Sequence, residues 1–129
     1  MIKFYIKTCF TILILTFLIS CNQKQQEVDI FVNEEINLGI VSKEDTVNFN
    51  IDVINPTDKN LIIKNTSSSC GCTLISVKDS IVKPNQKTEL KIEFIPSLSG
   101  GKGNVEKVVV LETNSPKRFH EIIIKAKVE

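Results

Sequence analysis

The chain has 129 residues, with 16 Lys and Arg against 15 Asp and Glu and one His, so its formal charge is only +1. Charges of both signs alternate along it as on a solvated surface, and no basic cluster suits the phosphate contacts that hold nucleic acid. The length fits one domain with a modest core, and no internal repeat divides it.

Taken from the N-terminus, "MIKFYIK" carries Lys3 and Lys7 ahead of the apolar run "CFTILILTFLIS", which stops at Cys21. This pattern predicts an export signal over residues 1–20. The run is about a dozen residues where a spanning helix needs roughly 20, so a cleaved segment is expected and not a permanent membrane helix. Its end, "LISC" from Leu18 to Cys21, resembles the bacterial lipoprotein signal, in which the cysteine is acylated and becomes the new N-terminus. Small Ser20 beside the cleaved bond and the alkylatable thiol of Cys21 are what that chemistry requires; an ordinary secretory signal is the alternative. The two or three acyl chains of a lipoprotein, at about 0.8 kcal/mol per buried methylene, anchor firmly where one chain does not. The expected location is the bacterial cell envelope, with the membrane held through lipid on Cys21. No acidic cluster follows Cys21, which favours a periplasm-facing site over outer-surface display.

Residues 21–34, in which "NQKQQE" follows Cys21, are expected to form a flexible tether. Removing 1–20 takes Lys3 and Lys7 but no acid, leaving 14 basic against 15 acidic residues. Cys9 goes with the signal and lipid consumes Cys21. Cys70 and Cys72 then remain as a pair in an oxidising compartment, a candidate disulfide.

Residues 35–129 read as one all-β domain. In "TVNFNIDV", Val47, Phe49, Ile51 and Val53 fall on one face and Asn48, Asn50 and Asp52 on the other. "TELKIEFI" turns Leu90, Ile92 and Phe94 inward, and "EIIIKAKVE" does the same with Ile122, Ile124, Ala126 and Val128. Shorter β-rich runs lie at "INLGIV", "NLIIKN", "CTLISV" and "VEKVVVLET", with turn signals at "NPTDKN", "KPNQK", "SLSGGKG" and "NSPKR". "SGGKGN", Ser99 to Asn104, lacks the Lys-Ser/Thr ending of a phosphate loop and is expected to be a hairpin loop. About seven short strands without helical periodicity predict an antiparallel β-sandwich of immunoglobulin-like type, with a closed barrel as the competing architecture. Lacking Trp and any widely spaced cysteine pair, the chain fits the broad sandwich class and not antibody-type domains.

The order of these pieces carries a resemblance. A strand ending in "NP", then "LIIKNTSSSCGCT", the turn and strand "KPNQKTELKIEF", a Gly-containing loop, "VVVLETNSP" and a closing strand are similar to the exported bacterial family called domain of unknown function 1573. The likeness spans roughly Ile36 to Val128, and "SCGCT" is its most specific part. It implies an immunoglobulin-like sandwich in an envelope protein and brings no activity. Where that family usually has Pro-Gly, this chain has Pro84-Asn85; Asn tolerates positive φ better than most residues, so the turn is expected to survive.

The sequence leaves several uses open for Cys70-Gly71-Cys72. As a staple it is weak: closing a loop of three residues contributes roughly 1.6 kcal/mol in the chain-entropy model. Gly71, without a Cβ, is expected to support the sharp bend or bulge that such a bridge needs. The leading reading is thus a local turn or bulge, fixed by a bridge or by two half-buried thiols. A labile bridge would suit reversible redox chemistry, but the Cys-x-x-Cys spacing and helix N-terminus of a working oxidoreductase are missing. Two thiolates could take copper(I); a tetrahedral zinc site wants four ligands, and the one His, His120, reads as a strand-start residue. Ser67, Ser68 and Ser69 with His120 show no nucleophile-elbow pattern, so no catalytic residue is expected. The residues imply a non-enzymatic module with an envelope protein as partner and no cofactor, copper(I) on the sulfur pair being the one candidate.

Overall fold

Alternation of apolar and polar residues places the inward sets of the long strands in one interior. The structure, a computed structural model, describes residues 30–129. The expected signal, Cys21 and most of the expected tether lie outside the described residues. In chain order the strands are β1 (Phe31–Val32), β2 (Glu35–Val41), β3 (Val47–Ile54), β4 (Leu61–Ser68), β5 (Thr73–Val77), β6 (Ile81–Val82), β7 (Lys87–Phe94), β8 (Gly103–Thr113) and β9 (Phe119–Val128). The seven longer ones are the seven read from the sequence, and β1 and β6 have two residues each.

They form two sheets, a front sheet in the order β1-β3-β7-β5 and a back sheet in the order β2-β9-β8-β4-β6. This is the expected sandwich, with one parallel pairing, β2 with β9, among antiparallel neighbours. Val53, Leu90 and Ile92 of the front sheet are buried against Val109, Leu111, Ile122 and Ile124 of the back sheet. Each such side chain contributes about 1.5–3 kcal/mol by leaving water. A smaller cluster at one end joins Val41, Cys72, Phe94, Ala126 and Val128. The surface carries dispersed ion pairs. Lys87 donates to Asp52 at 2.7 Å and Lys125 to Glu35 at 2.8 Å. Hydrogen bonding and the facing carboxylate raise both ammonium pKa values above the ordinary lysine value.

Two expectations change. Ile30 is buried and Phe31–Val32 pair with Ile54 and Val53, so the sandwich starts inside the segment read as tether; two residues are too few to show alternation. The "SGGKGN" segment is no hairpin loop, because β7 and β8 belong to different sheets and the chain crosses between them through a 3-10 turn at Pro96–Leu98. Glycine-rich signals mark a reversal without saying which sheet receives the next strand. The Pro84-Asn85 expectation holds: Asn85 has φ 57°, and Gln86 N–H donates to Lys83 C=O at 3.1 Å across the turn.

Candidate functional site at the Cys-Gly-Cys corner

β4 ends in the back sheet and β5 begins in the front sheet, so Ser69 to Cys72 form a corner between sheets. Cys70 and Cys72 are joined in a disulfide with Cα atoms 5.2 Å apart, inside the range a bridge needs. Cys72 is 1% exposed and belongs to the end cluster of the core, while Cys70 is half-buried and packs against that cluster. One sulfur is therefore walled in and the other lies toward solvent.

The flanking hydroxyls shape the corner. Ser68 Oγ lies 2.7 Å from Cys70 C=O and 2.9 Å from Thr73 C=O, so its single proton is shared across the bend. Ser69 N–H donates to Val108 C=O at 2.8 Å, and Ser69 Oγ accepts from Val108 N–H at 3.0 Å. Its side chain thereby stands in for a ladder carbonyl and extends the β4–β8 pairing by one step. Buried Thr73 places Oγ1 3.9 Å from Cys70 Sγ and 3.8 Å from Cys72 Sγ. Cys72 N–H donates to Cys70 Sγ at 3.3 Å, and Cys72 C=O accepts from Ile95 N–H at 2.8 Å, starting the β5–β7 ladder. Sequence reading had grouped the serines as turn formers. Ser69's partner lies 39 residues away, and only the preference of serine for competing local bonds hinted at these roles.

Gly71 does not support the corner in the expected way. Its φ is outside the left-handed region, and a Cβ built on it would meet nothing within 4 Å. The register of β4 with β8 is unbroken from Asn65 to Ser68 and shifts only toward the other end of the strand, between Ile63 and Asn65. The bend at 71 is made by the crossing between sheets and the bridge, not by a missing side chain.

His120 is not brought to the sulfurs. It is buried in β9, in register with Leu111, and its Nε2 lies 3.0 Å from Ser115 Oγ near the β8–β9 turn. Ser68 and Ser69 spend their hydroxyls at the corner, while the imidazole of His120 lies against Ser115. Among the described residues no group of three or more His, Cys, Asp or Glu side chains is placed to hold a metal ion. The bonded pair carries no thiolate. Of the two sulfurs, the half-buried Cys70 Sγ is the one that accepts the Cys72 N–H.

Among solved structures, one from Porphyromonas gingivalis W83, a protein of unknown function, is similar with TM-score 0.71 and 17% identity. The match covers 76% of this chain and 46% of that one, so this chain spans less than half its length. The seventh PapD-like domain of human CEP192 is similar with TM-score 0.63 and 11% identity over 78% of this chain and 84% of that one. The E. coli chaperone DraB is similar with TM-score 0.52 and 10% identity over 78% and 54%. At these identities the likeness is one of fold. No curated protein matches. Residues 17–128 match the family model described as protein of unknown function DUF1573, and the chain belongs to that family.

Proposed function

We propose that the protein is a non-enzymatic lipoprotein of the bacterial envelope, tethered through Cys21, whose sandwich serves as an interaction module for another envelope protein. The observation that supports this reading is the state of the one reactive pair. Cys70 and Cys72 are bonded to each other, and Cys72 is built into the core, while the sandwich keeps a sheet edge of the kind that accepts a strand. The location is periplasm-facing, and no cofactor takes part.

Two substitutions test the halves of the proposal. Cys21→Ser should move the protein from the membrane to the soluble fraction; unchanged membrane retention would rule out the lipid anchor. Replacing Cys70 and Cys72 together by Ser should leave recovery of an envelope partner by affinity purification largely intact. A second reading, thiol redox or copper(I) handling, is favoured by half-buried Cys70 Sγ with its donated N–H. Under that reading the double variant keeps its fold and loses function altogether.

A further inference from the structure

The four sheet edges are not alike. β1 and β6 offer two residues each, and β2 is interrupted at Gly39, where φ is 69°, Asn37 Oδ1 takes the Gly39 N–H and the register shifts. Short strands and bulges are how sheets blunt their edges. β5, "TLISV", has neither device, carries no charge and no proline, and runs in unbroken register along β7 from Thr73 to Val77. It is the open edge.

Which groups it offers follows from the ladder. Cys72 C=O accepts from Ile95, and Lys78 N–H donates to Glu89, so by alternation Leu74 and Ser76 also bond to β7. Thr73, Ile75 and Val77 turn their N–H and C=O groups outward, and Ser68 already engages the Thr73 carbonyl. The residues that offer both N–H and C=O outward are then Ile75 and Val77.

We infer that β5 pairs antiparallel with β5 of a second copy of this chain, Ile75 facing the partner's Val77, joining two front sheets into one. This rests on the reading of the protein as a tethered interaction module. The register follows from self-complementarity, because it uses both outward groups of Ile75 and of Val77 and leaves the Thr73 carbonyl to Ser68. Ile75 and Val77, both half-buried, would cover one another as β-branched cross-strand pairs. On the outer face, exposed Leu74 meets the stem of the partner's Lys78, and Ser76 meets the partner's Ser76. No like charges oppose. The contact is small, so it depends on the membrane concentrating the copies, as linked sites reach about 1 mM effective concentration.

The test uses the full lipidated chain in phosphatidylethanolamine–phosphatidylglycerol vesicles. Flotation reads anchoring and non-reducing electrophoresis reads pairing. Ser76→Cys should give a disulfide dimer, because the two positions face each other at the Cβ spacing of a non-hydrogen-bonded pair, about 4.5–5.5 Å. Leu74→Cys, nearer the native bridge, controls for disulfide shuffling and should stay monomeric. Adding Val77→Pro removes an outward N–H without touching the β7 ladder, and adding Leu74→Lys sets like charges opposite the partner's Lys78. Each should abolish the Ser76→Cys dimer. A floating protein in which Ser76→Cys stays monomeric, or in which Leu74→Cys dimerises equally, overturns the pairing and leaves the anchor standing. So does a dimer that survives both blocking changes. If the chain does not float, the anchor fails instead, and the same variants are read in solution at about 1 mM, where absence of the Ser76→Cys dimer overturns the pairing.

Discussion

β4 is entered and left by corners that carry the chain between the sheets, and the two are built from opposite materials. At Asn55 to Asn60 the corner is an amide. Asn55 is fully buried, its Nδ2 donates to Lys59 C=O at 2.8 Å and Val82 C=O at 2.9 Å, and its Oδ1 accepts from Thr57 N–H and Oγ1. Its own N–H donates to Gln86 C=O, and its C=O accepts from Asn85 N–H. One side chain thus ties the corner to β6, and its backbone ties it to the turn before β7. At Ser69 to Cys72 the corner is a covalent bridge between residues two apart, with hydroxyls trimming the backbone around it. The conspicuous motif spans almost no chain, while the inconspicuous asparagine joins segments 27 residues apart. Stability should follow the reach of the contacts and not the chemical distinctiveness of the residues.

Substitutions at four places would break or sharpen that contrast. Asn55→Ala strands the buried Val82 carbonyl and removes the acceptor of Thr57 N–H and Oγ1, so it should cost about 3 kcal/mol, at 1–3 kcal/mol per unsatisfied group, measured by urea unfolding. Cys70→Ser with Cys72→Ser should cost about 2 kcal/mol, little more than the entropy of a three-residue loop. A larger loss there than at Asn55 would reverse the ranking. The smallest effects separate two turn residues: Asn85→Ala should lose about 1 kcal/mol from its left-handed backbone and Asn85→Gly should recover it. Gly71→Ala should stay within about 0.5 kcal/mol of the parent, since neither φ nor space demands glycine there.

The legible part of the fold was whatever alternates. Val47 to Val53, Leu90 to Phe94 and Ile122 to Val128 are inward sets because one face of each strand meets the core, and period two survives in the sequence. Asn85 was legible because Pro84 and a residue tolerant of positive φ fit consecutive turn positions. The crossings between sheets were not, since a turn signal fixes a change of direction and not a destination; "SGGKGN" looked like a hairpin for that reason. At the candidate site, sequence brought out the two sulfurs but assigned Gly71 a role that the backbone does not require. The parts of Ser68, Ser69 and Thr73 depend on carbonyls, a strand and sulfurs that only folding brings to them.

The parallel pairing of β2 with β9 bears on how the domain is completed. β9, the last strand, is inserted between β2 and β8, so the final ten strand residues form the middle of a sheet and not its margin. Until they arrive, β2 has no neighbour in its sheet and β8 pairs only with β4. A chain that is clipped or stalled short of Phe119 would therefore hold two unpaired strands around an empty lane, and contacts so distant along the chain close late in folding. The back sheet shuts only once β9 has been made and inserted.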